Sequence, residues 1–84
     1  MINKDLKVQV RSGLEARATS ELVQLASQYV STIYLECGDK KINAKSLMGM
    51  MSLGLVTGED VKVVVDGDDE ETAMEKIESF LTAS

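Results

Sequence analysis

The chain contains no histidine, no proline and no tryptophan, and it has a single cysteine, Cys37. Without an imidazole there is no histidine base, no phosphohistidine and no histidine ligand for zinc. No Ser-His or Cys-His pair can be assembled for nucleophilic catalysis. That argues against most enzyme classes, and neither a metal nor a cofactor is expected. One thiol cannot close an internal disulfide, which fits a reducing cytoplasm. No apolar run approaches the ~20 residues of a membrane-spanning helix. No charged-then-apolar leader opens the sequence, so a cytoplasmic protein without a membrane partner is expected. Positive charge is also scarce: 9 Lys and Arg stand against 14 Asp and Glu, for a net charge of −5. That balance argues against direct, non-specific binding to nucleic acid or anionic membranes.

What is present suffices for one small domain spanning residues 1–84. A hydrophobic fraction of 44% supplies one core, with little stability in reserve at this size. No linker, repeat or low-complexity segment interrupts it. Leu6, Val8 and Val10 alternate with polar residues, the period of a half-buried strand, and Ser12-Gly13 breaks it. From about Arg17 the period becomes helical, with Ala18, Leu22, Leu25, Ala26 and Tyr29 on one stripe. Ile33, Leu35 and Cys37 alternate again, so a buried, inert Cys37 is expected. Gly38-Asp39 reads as a tight hairpin turn into a short strand from Lys41 to Asn43.

Ser46 stands at a helix-start position before a short helix, roughly Leu47 to Leu53, that ends near Gly54. Thr57-Gly58-Glu59-Asp60 is a turn, and Val61, Val63 and Val65 form a strongly β-branched strand. Asp68 and Glu71 have capping-box spacing for a last helix with Ala73, Ile77, Phe80 and Leu81 on its buried stripe. The order is βαββαβα. It predicts an α+β fold, a four-stranded antiparallel sheet with three helices on one face and water on the other.

The short helix cannot bury every side. Leu47 and Met51 are four apart with Met48 beside them, whereas Met50 and Leu53 point elsewhere. The first three are expected to form an exposed docking patch and the other two to join the core. Methionine suits a surface that must fit more than one partner. Serine at an N-cap is ordinary, and by itself it predicts only a cap. Arg17 sits at a helix start, where the dipole does not favour a cation.

The strand-helix order and the segment Asn43-Ala44-Lys45-Ser46-Leu47-Met48-Gly49-Met50-Met51-Ser52-Leu53-Gly54 resemble HPr, the histidine-containing phosphocarrier family of the bacterial sugar phosphotransferase system. The resemblance covers nearly the whole chain and is most specific around Ser46. It implies an open-faced sandwich. In Gram-positive members the matching serine is phosphorylated by HPr kinase/phosphorylase, and the product is corepressor for catabolite control protein A. The phosphocarrier loop of the family reads Gly-X-His-Ala-Arg-Pro-Ala; here it reads Gly13-Leu14-Glu15-Ala16-Arg17-Ala18-Thr19. Glu15 stands in the place of the phosphorylated histidine and Ala18 in that of the proline, while Arg17 is kept. This pattern is similar to the Crh type, the catabolite-repression HPr-like proteins, which lack the histidine, keep the serine and usually carry a neutral residue where Glu15 stands.

The resemblance therefore implies a non-enzymatic regulator of carbon catabolite repression. It would be phosphorylated on Ser46 and would bind its partner through Arg17, Ser20, Gln24, Ser46, Leu47, Met48 and Met51, without touching DNA. Glu15 is either a solvated loop acid or an imitation of the charge of phosphohistidine. Two alternatives remain open. One is a phosphocarrier-like protein with Glu15 as an altered acceptor; the other is a phosphorylation-independent binding module for a metabolic enzyme.

Overall fold

In a computed structural model, which describes residues 1–9, 16–54 and 58–82, the elements are β1 (Ile2–Lys7), α1 (Ala16–Ala26), β2 (Thr32–Cys37), β3 (Lys40–Asn43), α2 (Leu47–Leu53), β4 (Asp60–Asp66) and α3 (Glu70–Thr82). The strands form one antiparallel sheet in the order β1-β4-β2-β3. β4 is central because its β-branched residues fit a surface packed on one side. Val61, Val63 and Val65 are buried, and Asp60, Lys62 and Asp66 between and beside them are exposed. Ile33 and Leu35 of β2 continue that buried face. Leu22 and Ala26 of α1, Met50 of α2 and Ala73, Met74, Ile77 and Leu81 of α3 close over it. The three helices thus share one side of the sheet, and α1 packs against both α2 and α3.

The opposite face carries a row of alternating charge. Asp5 lies opposite Lys62, Lys62 opposite Glu36, and Glu36 opposite Lys41, one residue from each strand. Lys41 Nζ also lies 4.7 Å from the centre of the Tyr34 ring.

Several sequence expectations are corrected. β1 begins at Ile2 and ends at Lys7 instead of centring on Val8. Its inward side is Ile2, Lys4 and Leu6, opposite Val65, Val63 and Val61. Lys4 interrupts the apolar alternation and so hides the strand; it is accommodated by a 2.7 Å ion pair with Glu78 of α3. Val8 is fully buried past the strand end, and its N–H donates to the Glu59 carbonyl at 2.8 Å. Tyr29 lies in the turn after α1. On α3, Phe80 is only partly buried and Met74 takes a core place. Asp68 and Glu71 do not form the expected box. Glu70 reaches back to accept from the Gly67 N–H at 3.2 Å, and the Asp69 carbonyl accepts the first helical bond, from Ala73 N–H at 2.9 Å. Cys37 is partly buried, because it is the last residue of β2, beside the hairpin turn. Val10, Ser12-Gly13 and Thr57 lie outside the described residues.

Candidate functional site

The approach to Ser46 is tied down on both sides. The Ala44 N–H donates to the Ile33 carbonyl at 2.8 Å, which fixes the exit from β3 against β2. Asn43 then holds the turn: its side-chain oxygen accepts from the Lys45 N–H at 2.8 Å and its carbonyl from the Ser46 N–H at 3.0 Å. Ser46 itself is extended, with φ −100° and ψ 109°. Its Oγ accepts from the Gly49 N–H at 3.2 Å, and its carbonyl accepts the first helical bond from Met50 N–H at 2.9 Å. This is the N-cap geometry the sequence predicts. Ser46 is exposed, and Gly54 ends α2 in the left-handed conformation, with φ 59°.

The faces of α2 divide as expected. Met50 is 1% exposed, and Leu53 is partly buried against the core. Leu47, Met48 and Met51 are 43%, 84% and 52% exposed. α2 can lie close on β3 because residue 49 is glycine: a Cβ there would stand 3.0 Å from Ile42 Cγ2 and 3.2 Å from Ser46 Oγ.

The α1 residues are placed on the neighbouring element. Arg17 and Gln24 are exposed and Ser20 is partly buried. Arg17 Nε lies 3.5 Å from Glu21 Oε1, a solvent-exposed pair one turn on. Such a pair contributes little, so Arg17 is free to exchange it for another anion. Glu15 lies outside the described residues.

Three supporting contacts went unread in the sequence. Lys45 Nζ donates to the Tyr29 carbonyl at 2.7 Å and ties the start of α2 to the end of α1. No local pattern announces a bond between residues so far apart. Asn43 as a turn-former and Gly49 as a close-approach residue did carry signals, an Asn two residues before the amide it caps and a glycine inside a helix. Away from α2, burial pushes the Cys37 thiol up from its ordinary 9.0, and Glu59, which its Sγ faces at 3.7 Å, adds to the rise. That favours the protonated thiol, the less nucleophilic form, although the side chain is only partly buried. Among the described residues no group of three or more Cys, Asp and Glu could hold a metal ion. No helix among them is long and apolar enough to cross a membrane.

With these contacts in place, a comparison with known proteins is decisive. The family model described as the PTS HPr component phosphorylation site matches residues 2–83. The chain belongs to the HPr family. The HPr-like protein Crh of Bacillus subtilis (strain 168) is 40% identical over 81 residues, covering 96% of this chain and 95% of that one. The phosphocarrier protein HPr of Xylella fastidiosa (strain Temecula1) is 42% identical over 77 residues, covering 92% and 86%. The crystal structure of an HPr from Bacillus anthracis superposes with a TM-score of 0.92 at 35% identity, covering 95% of each chain. The HPr fold is thus shared over nearly the full length, and relatives of both the phosphocarrier and the Crh kind lie at similar identity.

Proposed function

We propose that this protein is a Crh-type regulator of carbon catabolite repression. HPr kinase/phosphorylase modifies Ser46, and the phosphorylated protein binds catabolite control protein A as its corepressor, in the cytoplasm and without contacting DNA itself. No phosphoryl group passes through a histidine. The observation that carries this reading is an exposed N-cap serine beside an exposed Leu47-Met48-Met51 patch, in an HPr-family chain that has no histidine.

The chemistry is coherent with that geometry. Ser46 Oγ attacks the terminal phosphorus of ATP, ADP leaves, and the hydroxyl proton passes to a base on the kinase. The phosphate adds roughly −1.5 to −2 charges beside helix N–H groups that favour an anion. The fold has no reason to rearrange, so the signal is the new surface charge next to an apolar anchor. Arg17, Ser20 and Gln24 lie on α1, which packs against α2, and complete the proposed contact surface.

Intact mass after incubation with HPr kinase/phosphorylase and ATP tests the assignment. One phosphate is expected on the parent protein and none on Ser46→Ala. That variant also loses its cap, at a cost of about 1 kcal/mol, so its thermal melt is recorded alongside. An undiminished mass gain in folded Ser46→Ala refutes the assignment. Stable label after incubation with enzyme I and phosphoenolpyruvate would instead point to Glu15 as an acceptor.

A further inference from the structure

The methionines fall into two classes. Met50 and Met74 are 1% and 2% exposed, sealed in the core, whereas Met48 and Met51 are 84% and 52% exposed on one side of α2, next to Ser46. We propose that Met48 and Met51 are a reversible oxidation site that switches off the α2 docking patch. The proposal rests on the docking role given to that patch above.

The reagent is a hydroperoxide. A sulfur lone pair attacks the peroxide O–O bond, an S–O bond forms, and the O–O bond breaks. Sulfur loses two electrons, and the peroxide is reduced to water or an alcohol as the proton moves to the departing oxygen. The sulfoxide is polar and chiral. Buried at an interface without a donor, it costs what any unpaired polar group costs. The fold is indifferent, because both side chains already face solvent. Leucine would give an apolar patch without this chemistry, and Leu47 in the same patch has none. Methionine sulfoxide reductases, one for each epimer, restore the thioether: the S–O bond breaks, the oxygen leaves as water, and the two electrons come from a dithiol that is oxidised to a disulfide.

The test uses the full chain phosphorylated on Ser46, treated with hydrogen peroxide, and binding to catabolite control protein A by calorimetry. Peptide masses should place one oxygen each on Met48 and Met51 and none on Met50 or Met74, with an unchanged melt. Affinity should fall about tenfold or more, as when central interface residues are lost, and return after treatment with both reductases. The double variant Met48→Leu, Met51→Leu keeps the exposed Met1 and should bind equally well before and after peroxide. Unchanged affinity of the doubly oxidised protein overturns the proposal, as does equal oxidation of Met50 and Met74 or a peroxide-sensitive double variant. If the untreated phosphoprotein does not bind, the docking reading itself has failed and the switch falls with it; that result is visible before any oxidant is added.

Discussion

Opposite sides of one seven-residue helix hold side chains of the same type with opposite duties. Met50 fills the core at 1% exposure, and Met48 stands 84% exposed. Truncating a buried methionine removes its transfer free energy and leaves a cavity, a cost of about 2–5 kcal/mol. Truncating an exposed one leaves no cavity, and surface changes stay within about 0.5 kcal/mol. Met50→Ala should therefore melt many degrees below the parent protein, and Met48→Ala should melt with it. Thermal unfolding of the two variants checks this. A large loss in Met48→Ala would make that residue part of the core and remove the docking patch. Lys45 and Ser46 show the same division: the lysine is spent on the Tyr29 carbonyl, and the serine hydroxyl caps a helix while remaining open to solvent.

Among the elements, the junction of β2 with α3 hangs on one carboxylate. Asp69 accepts from the Val30 and Ser31 N–H groups at 3.0 Å each and from the Ser31 hydroxyl. The Ser31 hydroxyl, aided by those amides, holds the Asp69 carboxyl below its ordinary 3.8. A depressed folded-state value stabilises the fold where the unfolded chain is also ionised, above 3.8, and that contribution is lost as pH falls through the lower folded value. Asp69→Asn should melt lower than the parent at neutral pH, and the gap should close in acid; a gap that persists in acid would mean the charge is not what matters. The sheet offers a second test. Lys62 lies between Asp5 and Glu36, so Lys62→Glu sets three carboxylates in a row. Like charges directly opposite destabilise, here by about 1 kcal/mol, and salt should recover most of it. Chemical denaturation with urea at low and high salt measures both. How much of this was legible follows the range of each interaction. β2, β4 and the Ser46-to-Gly54 helix are read from local period and caps, because their own residues decide them. β1 is misread because Lys4 faces inward and is satisfied by Glu78, far along the chain. The start of α3 is misread because the cap position falls to Asp69, whose carbonyl accepts the first helical bond while its carboxylate is taken up by the Val30 and Ser31 N–H groups just before β2, far along the chain. The exposed α2 patch was legible because a helix of seven residues cannot bury all its sides.

At the scale of the whole molecule, charge and apolar surface act over different distances. The chain carries −5, and a phosphate on Ser46 adds roughly −1.5 to −2 more. A surplus of one sign steers a basic partner from several ångströms away, and salt screens that steering. In the docking role proposed for it, the exposed Leu47-Met48-Met51 patch would act only on contact, by excluding water, and so would govern how long a complex lasts. The two contributions should therefore separate kinetically in binding of the phosphorylated protein to catabolite control protein A. Raising the ionic strength should slow association and leave dissociation nearly unchanged. Met48→Ala, which alters no charge, should leave association nearly unchanged and speed dissociation about tenfold, the effect of losing a central contact. Surface plasmon resonance on parent and variant at low and physiological salt reads both rates. A variant that associates and dissociates at the parent's rates would show that Met48 lies outside the bound surface, and the phosphate would then act through charge alone.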